Sequence, residues 1–203
     1  VVFAQYDAKQ IYYMQYTCSN DMFDVTLDPA TRLYNEYFSG GMNAIVFQEM
    51  REARGLAYSS YAYLGQGNTC KEPYYFYAFI ATQNDKMQQA IEAFDEIINE
   101  MPESQAAFDV AKEALIARMR TERTTGEDVI YAYLDNRDMG LTESREKNIY
   151  ETVQNLTLED VKATQQKWVK DRTYVYGILG DIKDLDTKYL RTLGPVQILS
   201  LED

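Results

Sequence analysis

The sequence predicts an α+β fold, because strands and helices do not alternate strictly along the chain. Apolar residues repeat every two positions in some stretches and at helical spacing in others. Their order is strand, strand, helix, helix, hairpin, four helices, strand, helix, strand. At 203 residues and 46% hydrophobic content, the chain can bury a substantial core within one domain. This length fits one domain, or at most two small ones, and we interpret residues 1–203 as a single domain.

The chain opens with two predicted strands, residues 1–6 and 10–19, followed by a helix over residues 24–38. Both faces of the second strand are apolar, with Ile11, Tyr13 and Gln15 on one face and Tyr12, Met14 and Tyr16 on the other. This pattern is typical of a strand covered at least partly on each side. The helix is expected to begin close to Asp28, because Pro29 is tolerated only near a first turn.

Residues 39–63 are the most informative stretch, and their pattern indicates a break, a short helix, a second break and a strand. A pair of glycines interrupts the preceding helix, and Asn43 is predicted to cap the next one. That helix is expected to run to about Arg54, and Gly55 is well placed to end it. From residue 56 to residue 64 the period changes to two, which predicts a strand.

A turn at residues 65–69 and a Tyr-rich and Phe-rich strand over residues 74–83 complete a predicted antiparallel hairpin. Residues 84–101 then show a helical period. Its apolar stripe consists of Met87, Ala90, Ile91, Phe94, Ile97, Ile98 and Met101. Pro102 stops this helix, and Ser104 caps the next one. Arginines near the end of that second helix complement its dipole, which is a more economical explanation than a binding patch.

The remaining elements are a helix over residues 127–139, a second helix opened by Thr157 and Asp160 as a capping-box variant, and three terminal elements. The terminal elements are a strand over residues 173–180, a short helix over residues 185–193 and a strand over residues 195–201. Trp168 is predicted to lie in the core.

The net charge of −12 and the pI of about 4.5 make nucleic acid and anionic membranes poor partners, whereas basic peptides or a basic subunit would be attracted. No apolar run approaches the roughly 20 residues that cross a bilayer, and the start of the chain lacks a signal-peptide pattern. We expect a soluble fragment of a longer protein, because the chain begins without Met. Its targeting signal would then lie elsewhere, which leaves periplasmic and cytoplasmic locations open.

Histidine is absent from the sequence, and only Cys18 and Cys70 could supply thiolates. Catalysis by Ser-His-Asp or Cys-His groups is therefore excluded, as is an H-x-x-E-H zinc motif. A zinc site built from carboxylates alone would be unusual, since zinc in proteins prefers imidazole and thiolate ligands. We expect the chain to hold no zinc and, alone, to cleave no peptide.

Residues 47–59, FQEMREARGLAYS, resemble a motif of the insulinase and pitrilysin family of zinc metallopeptidases, which includes the mitochondrial processing peptidase subunits. The motif belongs to the C-terminal, zinc-free half of those proteins. Weaker similarities lie at residues 6–10, 176–180 and 194–203, so the resemblance spans essentially the whole chain. It implies a five- or six-stranded, mainly antiparallel sheet with helices packed on one face.

The resemblance also implies a function. In zinc-free halves of this family, an Arg and a Tyr seven residues apart reach the substrate at the zinc site of the other half, and these positions are Arg51 and Tyr58 here. The chain would then be a non-catalytic, substrate-binding and chamber-forming domain. Its partners would be a peptide and a zinc-bearing half, either fused or separate.

Three alternatives stay open. Arg51 could cap its own helix or pair with a nearby Glu, and Tyr58 could be an ordinary member of the 18 tyrosines. The whole domain could be a catalytically inactive scaffold or assembly subunit of the same fold. An unrelated α+β ligand-binding module would require the long motif match to be a coincidence.

Overall fold

The computed structural model describes residues 1–5, 9–67, 69–123 and 125–199, which form a mixed sheet and a helical layer. The strands are β1 Val2–Gln5, β2 Gln10–Met22, β3 Ser59–Gln66, β4 Pro73–Gln83, β5 Val175–Gly180 and β6 Gln197–Leu199. The helices are α1 Asp28–Ser39, α2 Ile45–Phe47, α3 Met87–Asn99, α4 Gln105–Thr121, α5 Asp128–Asp138, α6 Arg145–Val153, α7 Leu158–Trp168 and α8 Thr187–Leu193. Predicted features at positions 6–8, 68, 124 and 200–203 lie outside the described residues.

The sheet has six strands in the order β3-β4-β2-β5-β1-β6. The pairings β3-β4, β4-β2 and β2-β5 are antiparallel, whereas β1 pairs with β5 and β6 in parallel. Helices α1, α3 and α7 pack against the hairpin strands β3 and β4 from one side. The predicted α+β class, the mainly antiparallel sheet of six strands and the helices on one face are confirmed.

The helical layer follows the apolar periodicity of the sequence. Every member of the stripe predicted for residues 84–101 is buried, although a 3₁₀ turn over Asn84–Lys86 precedes α3. Ser104 caps α4 by accepting from the Ala107 N–H at 3.2 Å, and Thr157 and Asp160 form the predicted capping box of α7. Trp168 is 2% exposed, and it stacks on Tyr74 with ring centroids 4.3 Å apart. These predictions are confirmed.

Two predictions around the sheet were wrong. Asn43 does not cap the helix after the glycine pair, because Ala44 takes the N-cap position with extended backbone and no side-chain cap. The strand β2 is covered on one face only. Ile11 and Tyr13 are buried under the helices, but Met14 and Tyr16 on the opposite face are each 41% exposed. The apolar second face of β2 is therefore open in this chain.

The helix α6 was not predicted. It buries Ile149 and Val153. Ser144 caps it by accepting from the Lys147 N–H at 3.4 Å. A two-point ion pair docks this helix, since Arg145 donates to both carboxylate oxygens of Asp28 at 2.5 and 2.8 Å. Asp28 is almost fully buried, so the pair compensates a charge that would be unfavourable alone.

A buried polar cluster lies between α3 and the covered face of the sheet. Asp95 accepts a hydrogen bond from the Gln15 amide, beside the stacked rings of Tyr13 and Tyr176. Burial raises the pKa of Asp95 above its ordinary value, and the hydrogen bond from Gln15 offsets only part of this shift. Because the folded pKa exceeds the unfolded one, the folded state binds more protons between the two values. Asp95 therefore costs stability above that window.

We expect Asp95→Asn to increase the free energy of unfolding at neutral pH, since the amide oxygen can still accept from Gln15 without a buried charge. The gain should vanish as the pH falls below the unfolded pKa of an Asp. Urea titrations at several pH values measure it. Glu113→Gln, on the exposed face of α4, is the control and should show no such pH-dependent gain. A loss of stability at neutral pH would contradict this interpretation.

Candidate functional site

The short helix that carries Arg51 changes from α-helical to π-helical hydrogen bonding within the motif of residues 47–59. After α2, residues Gln48–Ala53 form a π-helical turn, and Gly55 ends it with φ of +57°. The N–H groups of Leu56 and Ala57 both donate to the carbonyl oxygen of Met50, at 2.9 and 3.4 Å. π-helical turns occur frequently at functional sites. This turn places Arg51 on the solvent side while Met50 is buried beneath it.

Arg54 and Gly55 terminate this segment, as the sequence predicted. Arg54 is the C-cap residue, and its guanidinium donates to both carboxylate oxygens of Glu96 on α3 at 2.9 and 3.1 Å. A looser contact joins Arg54 to Glu49 at 3.6 Å. The end of the turn that carries Arg51 is thereby attached to the helical layer.

The structure brings Arg51 and Tyr58 together. The Arg51 guanidinium carbon lies 5.5 Å from the centroid of the Tyr58 ring and 5.2 Å from that of the Phe47 ring, within the range of cation–π contacts. The Arg51 side chain is 47% exposed, and Tyr58 is 76% exposed. Arg51 also approaches Glu52, but at 3.8 Å this ion pair is loose and solvated. The guanidinium of Arg51 and the hydroxyl of Tyr58 are thus accessible to a ligand.

Sequence reasoning missed Phe47 as a neighbour of Arg51. The signal was present, because residues four apart share a helix face and an aromatic ring can stack there on a guanidinium. Phe47 thus belongs to the candidate site together with Arg51 and Tyr58.

The open face of the sheet extends from this pair. By strand alternation it carries Tyr12, Tyr16, Tyr61, Tyr63, Tyr75, Tyr77 and Phe79, together with Met14, Val175, Val2 and Ala4. The rings contact one another across strands, as Tyr61 does with Phe79 at 5.1 Å and Tyr12 does with Phe79 at 6.0 Å. At the paired positions of β1–β5 within the described residues, this face carries no charged side chain. Such a surface is expected to meet another molecule.

The outer edge of β3 is already occupied. The Asn35 side chain of α1 accepts from the Leu64 N–H and donates to the Leu64 carbonyl, both at 2.8 Å. Ser39 accepts from the Ala62 N–H at 2.9 Å. These side chains replace the hydrogen bonds that an added strand would make. The backbone groups of Ala62 and Leu64 are therefore not available to an added strand.

Metal-binding groups do not gather in the described part of the chain, where no three His, Cys, Asp or Glu side chains could hold an ion together. Cys18 and Cys70 are both free thiols. None of the helices in the described residues has the length and hydropathy needed to cross a bilayer.

Comparisons with known proteins identify the family. The family model of the peptidase M16 inactive domain matches residues 7–115, which is more than half of the chain. A comparison with curated protein sequences gives no match.

Solved structures share the fold. A peptidase M16 inactive domain from Pseudomonas fluorescens has a TM-score of 0.71 at 21% identity, over 89% of this chain and 43% of that one. A protease from Helicobacter pylori has 0.70 at 14% identity, over 88% and 43%. An inactive peptidase domain from Bordetella parapertussis has 0.66 at 11% identity, over 83% and 91%. The chain thus spans less than half the length of the first two, and at these identities the likeness extends to the fold alone.

The matched residues include the glycine break, the helix with Arg51, the loop with Tyr58 and the aromatic hairpin. The chain therefore belongs to the peptidase M16 inactive-domain family.

Proposed function

We propose that this chain is a substrate-binding and chamber-forming domain of a zinc-dependent peptidase, which supplies Arg51 and Tyr58 to a hydrolysis site whose zinc lies in another domain. The observation that carries the proposal is the exposed Arg51–Tyr58 pair, held together at the end of an uncharged aromatic face. The catalytic metal and the general base would come from the zinc-bearing half.

The chemistry of the two side chains suits this role. A guanidinium donates hydrogen bonds to peptide carbonyls in a fixed planar geometry. A phenol can donate to the oxyanion that forms when water attacks the scissile carbonyl. Because the Arg51 guanidinium lies over the Tyr58 ring, one peptide segment could contact both groups at once.

The open face supports the chamber role. An extended peptide presents apolar side chains and backbone polar groups, and tyrosines can contact the first with their rings and the second with their hydroxyls. A surface without charges also has no ionic preference for acidic or basic side chains. This property suits a chamber wall that contacts peptides of varied sequence.

Arg51→Ala is expected to raise KM by about 10- to 100-fold in the complete peptidase, with a smaller change in kcat, because a charge-assisted hydrogen bond contributes about 1.5–3 kcal/mol to ground and transition states alike. The measurement is steady-state hydrolysis of a fluorogenic peptide by the domain joined to or mixed with its zinc-bearing half.

Arg32→Ala is the matched control, since Arg32 makes an exposed ion pair with Glu146 and its loss should leave KM unchanged. Equal KM values for Arg51→Ala and the wild type would contradict the proposed role of Arg51. A parallel fall in melting temperature and activity would indicate a structural role instead.

A second candidate function is the inactive scaffold, and the outer surface of α5 favours it. Val129, Ile130, Tyr131 and Tyr133 are each more than half exposed on this helix. An apolar patch of this kind is typical of a protein–protein contact. A scaffold would use this patch and leave Arg51 and Tyr58 without effect on any peptide, so the Arg51→Ala experiment separates the two functions.

A further inference from the structure

A pocket of about 330 Å³ adjoins the Arg51–Tyr58 pair. It is bounded by the loop residues 55–58 and by the ends of β2 and β4, where Gln10 pairs with Gln83. Gln10, Ala81 and Gln83 belong to the open face by strand alternation, so the pocket lies at one end of that face. A volume of this order lies at the lower end of the range of small-ligand pockets, which suits the end or a side chain of a peptide.

The charge of this pocket is opposite to that of the whole chain. Arg51 and Lys86 are among its lining residues, and none of those residues is Asp or Glu. The full sequence carries a net charge of −12. Exposed carboxylates beyond roughly 8 Å are largely screened at physiological salt, so the local cations determine which ligand the pocket favours.

Both cations retain hydrogen-bond donors. Lys86 donates to the carbonyl oxygen of Gly55 at 3.1 Å, and no carboxylate pairs with it within the part of the chain that the structure describes. An ammonium has two further N–H donors. Among the described residues, the one carboxylate that pairs with Arg51 is Glu52, at a loose 3.8 Å. Lys86 therefore offers a positive charge without a carboxylate partner, and Arg51 adds a second cation that is only weakly paired.

Neutral donors accompany the cations. Tyr58, Gln10 and Gln83 are lining residues whose side chains carry a hydroxyl and two amides, whereas the Thr82 hydroxyl is already used as a donor to the Leu56 carbonyl. A carboxylate has two oxygens that accept several hydrogen bonds, and an ammonium, a guanidinium and amides match that demand.

We propose that this pocket binds a carboxylate of the peptide, either its C-terminal group or an Asp or Glu side chain, next to the segment that Arg51 and Tyr58 hold. This inference rests on the proposed function and adds a preference for the charge of the substrate. Lys86 is the residue that distinguishes the pocket from the Arg51–Tyr58 pair.

The experiment measures the Kd of fluorescent peptides for the complete, zinc-depleted peptidase by anisotropy. A series of peptide lengths is used in matched forms, with a free or an amidated C-terminus and with an internal Glu or Gln. We expect one form that carries the carboxylate to bind about tenfold more tightly than its neutral match. A difference between the free and the amidated C-terminus would identify the C-terminal group as the bound carboxylate. A difference between internal Glu and Gln would identify a side chain.

Lys86→Gln should reduce that difference to within about twofold and leave the Kd of the neutral peptide unchanged. Lys188→Gln, an exposed lysine on α8, should keep the full difference. Melting temperature checks the variant, because Lys86 also bonds the Gly55 carbonyl. Equal affinities of the wild type for all charged and neutral pairs would overturn the pocket while leaving the proposed function intact. Discrimination that persists in Lys86→Gln would also overturn it, and no peptide binding at all would remove both.

Discussion

Tyr58→Phe is expected to lower kcat of the complete peptidase by roughly 10²–10³, because the phenol would stabilise the oxyanion chiefly in the transition state. The Tyr58 ring is 76% exposed, so removing its hydroxyl should leave the fold unchanged. The ring would still lie beside Arg51, and KM should change little. Single-turnover and steady-state hydrolysis of one peptide give both constants.

Tyr61→Phe is the matched control for that experiment. Tyr61 lies on the open face and contacts Phe79 and Tyr77 through its ring. The loss of its hydroxyl should not affect the chemical step. Wild-type turnover in Tyr58→Phe would identify Tyr58 as an ordinary residue of the wall and favour the scaffold function.

Phe94→Ala is expected to destabilise the domain by about 3–5 kcal/mol, because truncating a buried ring removes its packing and leaves a cavity. Phe94 is fully buried in the stripe of α3, whereas Glu92 on the same helix is exposed. Glu92→Ala should therefore change stability by less than about 0.5 kcal/mol. Denaturant titrations of both variants measure the difference, and similar small losses would show that the wrong face of α3 was assigned to the core.

The helices α3, α4 and α7 were predicted from signals that lie close together in the sequence. The stripe of α3, the Ser104 cap and the Thr157–Asp160 capping box depend on residues three or four positions apart, which the sequence displays directly. The helix α6 escaped because its stability depends on a partner distant in sequence, the Asp28 carboxylate that binds Arg145. The spacing of apolar residues along the sequence does not show a contact between residues so far apart in the chain.

Burial of a strand face depends equally on tertiary structure. The apolar residues on the second face of β2 were interpreted as covered, but the chain supplies helices for one face only. The same apolar pattern is expected for a face that the chain's own helices cover and for a face that a second molecule covers. The helices of this chain do not cover the second face of β2, so the first interpretation was wrong.

The candidate site was predicted through the family motif, not through periodicity. The sequence places Arg51 and Tyr58 seven residues apart, but their contact requires the π-helical turn and the left-handed Gly55 between them. The spacing of residues along the sequence does not predict the π-helical turn. It also does not predict the preference for anions that we propose for the adjoining pocket, because Lys86 belongs to another element and donates to the Gly55 carbonyl.

The open aromatic face is expected to contact the peptide substrate of the complete peptidase. Photo-crosslinking in the complete, zinc-depleted peptidase tests it most directly, with p-benzoylphenylalanine in place of Tyr61 on the open face or of Glu113 on the helical side. A labelled peptide is expected to crosslink at position 61 and not at position 113. Absence of peptide crosslinks at position 61, or capture there of a protein subunit instead of the peptide, would contradict the claim.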